Sequence, residues 1–416
     1  MITMWKFILL VACACDGFSV KALPSKMYID DNIMFENVKA LDTAQFSSRD
    51  DNPYRLPNTT RPIHYTVQWK TNITPPTFTF SGSVNIDLQA TQPNVKNIVI
   101  HSIDLNIESV QLQLGNQVIN QTHSFDLDYQ FLIITLVDGT LNYDAQQPVN
   151  YRLSISYNAP MRTDMVGIYR SWYSNFGDIH WMAASKFSST YARSAFPCYD
   201  EPSLKATFDV IITRQNNFKS WSNMELKEKK SSVYNGYEDD VYYTTPLMST
   251  YLLAMIVAEY DSVAKTEDVD GAKRVVYELI ARPEAIRAGQ GNFMYNLGQE
   301  ILNELSNYTG IDYYGFQNFM KLTHAAIAEF RSGAMENWGL FTYRETSLLY
   351  DEYNSGVYQK QFDVKVVAHE TAHSWFGNLV TVDWWDALWL SEGFAVFFQY
   401  LIADKVSLNK NISILS

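Results

Sequence analysis

The sequence is poor in cysteine and in basic charge. Of its three cysteines, Cys13 and Cys15 lie within the first 22 residues, which are interpreted below as a cleaved segment, so Cys198 alone remains afterwards and an internal disulfide in the mature chain is excluded. Lysine and arginine number 32 against 45 acidic residues, which gives a net charge of −13. This balance argues against nucleic acid as a partner, because phosphate binding needs a basic face. We interpret it as a solvated acidic surface, with attraction of cationic peptide N-termini as the alternative.

Long apolar runs are also scarce. The run Phe7–Ala14 follows Lys6 and precedes small residues ending at Ala22, which is typical of a cleaved secretory signal at residues 1–22; an uncleaved anchor is the alternative. No later run reaches the roughly 18 apolar residues that a membrane span needs, so we expect no span beyond the signal segment. Five Asn-X-Ser/Thr sites accompany the signal and predict a glycoprotein of the secretory pathway, located outside the cell. These sites are Asn58, Asn72, Asn120, Asn307 and Asn411.

The hydrophobic period divides the remaining chain into a leader and two domains. Residues 23–52 are mixed and polar and are interpreted as a leader or linker. Apolar residues then alternate, as at Val84, Ile86 and Leu88, and again, after one slip, in the sequence SIDLNIESVQLQL. This period of two predicts a β-rich domain over residues 53–262.

Helical spacing marks the second domain, predicted over residues 263–416. Leu297, Ile301 and Leu305 are four apart and precede Gly310, which predicts a helix that ends at this glycine. A second helix is predicted over Val357 to Phe376. A third, interpreted as largely buried, is predicted in the sequence ALWLSEGFAVFFQYLIADK.

Two histidines and a glutamate share the second of these helices. In the sequence VVAHETAHSWFG, His369 and His373 are four residues apart, so they lie on one face one turn apart. Both can offer a ring nitrogen to one metal ion, while Glu370 can reach a water on that ion without being a ligand. Two helix histidines packed against aromatic residues are the alternative. However, histidines buried side by side in an apolar wall need partners, and a metal is a good one.

A third ligand is predicted on the next helix. Glu392 follows His373 by 19 positions, after a short connection that would fold the two helices side by side. A carboxylate in so apolar a helix is costly to bury unless it is paired, and zinc would pair it. His369, His373 and Glu392 leave a fourth position for water, whose pKa zinc lowers towards about 7 and whose proton Glu370 accepts. We therefore predict one zinc ion per chain, because this ligand set with an open position favours zinc over other metals.

Further motifs carry a family resemblance. The sequence GAMEN at residues 333–337, followed by HETAH and the downstream glutamate, closely resembles the M1 (gluzincin) zinc aminopeptidases. RLPNTTRPIHY and FPCYDEPSLKATF resemble the opening strand and the first-domain signature of that family, so the resemblance covers nearly the whole mature chain. Together with the signal and the glycosylation sites, the sequence is most similar to the insect midgut aminopeptidase N group of this family.

The resemblance implies both a fold and a substrate. The fold would be multidomain, with an all-β saddle-like N-terminal domain followed by a partial α+β thermolysin-like catalytic domain, incomplete at its C-terminus. The substrates would be peptides with a free N-terminus. Glu336 would bind the α-amine, because an ammonium needs a desolvated carboxylate partner; considered alone, it would be interpreted as a surface acid. Gly333 and Ala334 would align the substrate as an added strand, and Met335 and Asn337 complete the predicted substrate site.

Three features depart from the family pattern. Lys186, also assigned to the substrate site, stands where family members have a glutamine or similar residue that helps to hold the amine; a lysine there would repel the amine, swing away or pair with Glu336. Gln399 replaces a common acid, which would weaken the support of the zinc ligands. The family's transition-state tyrosine would follow Ser416, so we expect a C-terminally truncated form; longer family members are often anchored in the plasma membrane.

These features predict two functions of different classes. The first is a zinc metallo-aminopeptidase that hydrolyses the N-terminal residue of peptides by glutamate-assisted attack of zinc-bound water. The alternative is a catalytically silent secreted glycoprotein fragment that binds peptides or other ligands, which Lys186 and the early end of the chain favour. A fragment that does not fold alone is a third interpretation. Zinc content and monodispersity distinguish the third from the others, and turnover distinguishes the first from the second.

Overall fold

A computed structural model describes residues 52–269 and 272–408. The predicted signal peptide, almost all of the predicted leader and the glycosylation site at Asn411 lie outside the described residues. The first part of the described chain is built from strands that form three sheets. These strands are β1 Thr60–Thr74, β2 Thr77–Ala90, β3 Asn97–His101, β4 Asn106–Leu114, β5 Gln117–Ile119, β6 Gln121–Asp126, β7 Phe131–Leu136, β8 Tyr151–Pro160, β9 Gly167–Asn175, β10 Asp178–Lys186, β11 Thr207–Gln215, β12 Lys219–Ser222, β13 Leu226–Ser231, β14 Tyr237–Tyr242 and β15 Met255–Ala258.

The largest sheet has eight strands in the order β13-β14-β11-β1-β2-β8-β4-β5, and the smaller ones have the orders β12-β15-β10-β9 and β3-β7-β6. The predicted alternation in β2 is confirmed, because Val84, Ile86 and Leu88 are fully buried. The predicted slip is confirmed as well: the pairing of β4 with β8 shifts register between Ile107 and Ser109. The run of β2 therefore became a strand with one face in a core, whereas Ile103 and Leu105 precede β4 and only Leu112 of β4 is buried.

The core between the sheets is aromatic. Tyr65 on β1 stacks on Phe208 of β11, with ring centroids 4.8 Å apart. Trp69, four residues further along the same face of β1, is fully buried. Its indole nitrogen donates to the carbonyl of Ala195 at 3.0 Å. Large flat side chains with one satisfied polar atom fill such a core with little strain.

The second part combines a five-stranded sheet with helices. The sheet has the order β16-β17-β18-β20-β19. The predicted domain division after residue 262 falls at the second residue of β16, and this boundary remains a prediction. Together with the strand-rich first part, this arrangement confirms a multidomain fold of an all-β domain followed by an α+β domain. The elements are β16 Asp261–Val269, β17 Ala272–Ala281, α1 Pro283–Arg287, α2 Asn292–Thr309, β18 Leu322–Ile327, β19 Ala334–Met335, β20 Leu340–Arg344, α3 Val357–His373 and α4 Leu388–Leu408.

The helices follow the predicted spacing with one difference at an end. α2 buries Leu297, Ile301 and Leu305 and stops where Gly310 takes a left-handed backbone, with φ 69°, as predicted. α3 ends at His373 rather than at Phe376, because the amide of Asn378 donates to the carbonyl of His373 at 2.9 Å and closes a wider turn. Within the described ranges, no helix combines the length and the apolarity that crossing a bilayer demands.

The prediction that the last helix is largely buried was wrong for one of its faces. α4 packs on α2 and α3 through a face that includes Phe394, Phe398 and Ile402, all buried. On other sides, Trp389 is 61% exposed and Tyr400 is 45% exposed. The segment is apolar all round, so its sequence does not indicate which face has a partner among the described residues.

Candidate metal centre and active site

The histidines of α3 and Glu392 of α4 bring three potential ligand atoms to one point. His369 Nε2 lies 3.1 Å from His373 Nε2, and Glu392 Oε2 lies 3.3 Å from the first and 3.7 Å from the second. A tetrahedral zinc with bonds of about 2.0–2.1 Å places neighbouring ligand atoms roughly 3.3 Å apart. The three atoms therefore have the spacing that zinc requires, and they are the group of metal-ligand type identified among the described residues.

The other ring nitrogens fix the orientation of both imidazoles. His373 Nδ1 lies 3.0 Å from the carbonyl oxygen of Phe376, and His369 Nδ1 lies 3.1 Å from Gln399 Oε1. Carbonyl oxygens only accept hydrogen bonds, so each Nδ1 carries the proton and each Nε2 keeps its lone pair for a metal. Gln399, a departure from the family pattern, thus still supports a ligand, but with a neutral acceptor in place of a carboxylate.

The electrostatics of this cluster favour a bound cation. Burial alone would lower the pKa of His373, but Glu336, Glu392 and Glu370 outweigh it and raise this pKa to about 10. Hydrogen bonds from His369 and His373 hold the pKa of Glu392 well below its usual range. Three carboxylates thus draw positive charge onto two imidazoles. A metal ion would supply that charge directly, and the residues present therefore fit a zinc ion.

Glu370 lies beside the ligands without being one of them. Its side chain is almost fully buried, and burial raises the pKa of its carboxyl to about 7, with the charges of Glu336 and Glu392 adding to the increase and both histidines opposing it. A carboxyl with a pKa near neutrality is suited to accept and return a proton. The role of Glu370 as a general base remains a prediction.

A cavity of about 410 Å³ joins the cluster to the GAMEN segment. Of the residues predicted for catalysis, metal binding or substrate binding, the structure brings all but Asn337 to its wall. Asn337 is buried behind the wall, where its amide donates to Thr342 Oγ1 at 3.1 Å. The predicted residues that line the cavity are Lys186, Gly333, Ala334, Met335, Glu336, His369, Glu370, His373 and Glu392.

The GAMEN segment forms the edge of the five-stranded sheet. In β19, Ala334 and Met335 pair with β20 on one side only, and the preceding Gly333 accepts a hydrogen bond from the amide of Arg344 at 2.9 Å. Asn378 Nδ2 donates to the main-chain oxygen of Glu336 at 2.9 Å and ties the segment to the turn after α3. The strand thus presents a fixed edge and the Glu336 side chain at the cavity.

Lys186, the last residue of β10, projects into this cavity from the β-rich part. It is only 8% exposed, and its Nζ lies 3.9 Å from Met335 Sδ and 5.9 Å from the ring centre of Phe330. Burial lowers the pKa of this ammonium, and the charge of Glu336 partly opposes the decrease. No ion pair with Glu336, one of the arrangements considered from the sequence, forms among the described residues.

Several wall residues were not predicted. They are Ser188, Tyr251, Ser332, Val366, Trp385, Leu388 and Gln399; of these, Gln399 was noted only as a replacement for an acid. Ser188 follows Lys186 by two positions but lies past the end of β10, so strand alternation does not place it. Tyr251 and Trp385 come from distant parts of the chain and pack edge to face, with ring centres 5.1 Å apart; no sequence pattern links them.

The predicted glycosylation sites lie mostly on the surface. Asn58, Asn120 and Asn307 are exposed, and Asn72 is half-buried within β1. Surface placement is necessary for modification and does not establish it, so these sites remain predictions.

Comparisons with known proteins agree with the fold and identify the family. The Peptidase M1 N-terminal domain profile matches residues 61–252, and the Peptidase family M1 domain profile matches residues 293–415. The strand-rich domain, the HETAH helix and its downstream glutamate therefore have the organisation of the M1 class, and the chain belongs to the M1 zinc aminopeptidase family.

Relatives within that family include proteins with different names. The chain is 47% identical over 403 residues to the membrane alanyl aminopeptidase of Heliothis virescens, an alignment that covers 95% of this chain and 40% of the relative. It is 40% identical to the membrane alanyl aminopeptidase of Manduca sexta, with 87% and 37% covered. Identity to the glutamyl aminopeptidase of Bitis rhinoceros is 35%, with 84% and 35% covered. The chain thus spans about two fifths of the length of these relatives.

Proposed function

We propose that this protein is a zinc metallo-aminopeptidase that removes the N-terminal residue of peptides. The observation that carries the proposal is the meeting of His369, His373 and Glu392 at zinc spacing, with Glu370 and Glu336 on the wall of the same cavity. The names of the relatives support the same reaction class.

The chemistry divides between the ion and the protein. A zinc ion held by the two histidines and Glu392 would lower the pKa of a water and polarise the scissile carbonyl. Glu370 takes the proton that the attacking water releases and passes it to the leaving amine. Its raised pKa permits both transfers near neutral pH.

Glu336 and β19 restrict the reaction to the N-terminal residue. The Glu336 carboxylate holds the α-ammonium through a charge-assisted hydrogen bond, which fixes the distance between the N-terminus and the reacting carbonyl. The free edge of β19 pairs with the substrate main chain as an added strand. Internal peptide bonds have no ammonium to offer and are excluded.

The test is hydrolysis of aminoacyl 4-nitroanilides by the purified secreted chain loaded with zinc. Loss of Glu370 as the base predicts that Glu370→Gln lowers kcat by about 10² to 10⁴, and a chelator should abolish turnover until zinc is restored. The variant should keep its zinc, because Glu370 is not a ligand. A folded, zinc-loaded wild type with no more turnover than the variant would refute the proposal and leave the binding-only glycoprotein.

We also propose that the chain is exported and glycosylated. The proposal rests on the signal-like N-terminus and on the exposure of Asn58, Asn120 and Asn307. Expression in insect cells should release a protein into the medium whose mass falls on treatment with an N-glycosidase. A protein retained in the cytosol at its unmodified mass would contradict it.

A further inference from the structure

Lys186 is a buried ammonium without an anionic partner in the described residues. Its Nζ contacts the Met335 sulfur at 3.9 Å and lies 5.9 Å from the Phe330 ring centre, and neither group neutralises a charge. A buried cation is ordinarily paired, because removal from water without compensation is costly. Lys186 therefore differs from buried Arg193, which is matched by Asp200 at 2.9 Å.

The charges around the cavity limit which substrate group can pair with the Lys186 ammonium. Lys186 lines the same cavity as Glu336, which the proposed function assigns to the α-ammonium of the substrate. A second positive group of the substrate would be repelled by Lys186, whereas a carboxylate would gain a charge-assisted hydrogen bond. Glu336, Glu370 and Glu392 attract Lys186 through space without forming an ion pair with it, and Arg331 repels it. Among the described lining residues Lys186 is the one lysine or arginine, so a substrate carboxylate in the cavity would find its ammonium donor there.

We propose that Lys186 determines specificity by binding the side-chain carboxylate of an acidic N-terminal residue, aspartate or glutamate. The inference rests on the proposed aminopeptidase function and names its substrate class. Glu336 holds the α-amine, and Lys186 holds the side chain of the same residue, so the two charges of the substrate meet two opposite charges in one cavity. Met335, whose sulfur lies 3.9 Å from Lys186 Nζ, adds an apolar surface to the same cavity.

The first experiment compares glutamyl and glutaminyl 4-nitroanilides, which differ in charge and hardly in shape. Wild-type kcat/KM should be about 10- to 100-fold higher for the glutamyl substrate, the range expected for a hydrogen bond to a charged group. Lys186→Met, which keeps the length and removes the charge, should bring the ratio to about 1. Lys186→Arg, which keeps the charge, should retain a preference for the glutamyl substrate.

The second experiment needs no turnover and so separates the two proposals. Calorimetric titration of the wild-type chain with L-glutamate and L-glutamine should show tighter binding of glutamate, and Lys186→Met should abolish the difference. If the anilides are not hydrolysed but glutamate binds preferentially, the specificity inference stands and the aminopeptidase proposal fails.

Other outcomes overturn the inference. Turnover with equal kcat/KM for the two anilides, or a glutamyl preference unchanged in Lys186→Met, would show that Lys186 does not select the side chain. If Lys186→Met does not fold, measurements on the wild type still decide the question. A glutamyl-to-glutaminyl ratio of about 1 in kcat/KM, together with equal affinities for glutamate and glutamine, contradicts the proposal.

Discussion

The β-rich part of the molecule and the surroundings of the α3 histidines both bury charged side chains, but they neutralise them differently. In the β-rich part, arginines meet acids: Arg214 lies 2.6 Å from Asp240, and Arg55 lies 3.0 Å from Glu201. At the histidines, three carboxylates surround two imidazoles, and nearby Lys186 has no anionic partner among the described residues.

The difference separates structural charge from functional charge. Burying a charge is costly, and a pair of opposite charges with good geometry offsets that cost. The buried arginine pairs of the β-rich part neutralise each other, so they need no ligand. By our proposals, the cluster around His373 is completed by what it binds: a metal ion at Glu392 and the two charges of a substrate.

The largest effect is expected when a buried ion pair in the β-rich part is broken. Arg214→Met leaves Asp240 buried and without its arginine, which should lower the free energy of unfolding by about 3–5 kcal/mol. The matched control is Arg152→Met, because the Arg152 side chain in its pair with Asp87 is 54% exposed and the pair should contribute about 0–1 kcal/mol. Urea unfolding measures both. Equal effects of the two variants would contradict the view that burial makes the first pair essential.

A smaller effect concerns Asp363, a buried acid of α3 with a glutamine as its neighbour. Burial raises the pKa of this carboxyl from 3.8 to about 7, although Gln359 donates to it. The folded state therefore keeps a proton that the unfolded state loses, so stability should fall between about pH 4 and 7 by up to about 1.4 kcal/mol per pH unit and then level off. Asp363→Asn removes this loss.

Thermal melts at several pH values test this expectation. The melting temperature of Asp363→Asn minus that of the wild type should increase from pH 4 to pH 7 and stay constant above. A difference that does not change with pH would mean that the carboxyl titrates alike in the folded and unfolded states.

The smallest effect is expected at Gln399, which contacts the predicted zinc ligand His369. Gln399→Glu would place a carboxylate against Nδ1 of His369, where Gln399 Oε1 now lies at 3.1 Å, and should tighten zinc binding by about 10-fold by making the imidazole more basic. Gln399→Met removes the acceptor and should weaken binding by a similar factor. Competition with a fluorescent chelator gives both affinities, and unchanged affinities would show that this contact does not support the ligand.

The sequence predicted the centre of the site because its spacing is local. His369 and His373 share a helical face by periodicity, and Glu392 stands out as an acid in an apolar helix. The surroundings were less predictable. Lys186 reaches the cavity without pairing with Glu336. This placement depends on how β10 packs beside the GAMEN edge, and no local sequence pattern encodes that packing.

The fold shows the same limit. Alternation predicted individual strands such as β2, but the parallel pairing of β1 with β11, which aligns His64 with Thr207, joins segments far apart in the chain. Periodicity gives the face that a strand buries and not its neighbour. For α4, the sequence is apolar on every side, so it did not indicate that the face with Trp389 is exposed.

The most direct test of the account is the zinc content of the purified chain. After dialysis against metal-free buffer, mass spectrometry of the wild type should find one zinc per chain, and His373→Ala, which removes a ligand, should hold none although it folds by circular dichroism. A folded wild type that retains no zinc and takes up none on titration would contradict the claim that a metal ion completes this cluster. Equal zinc in His373→Ala would contradict it as well.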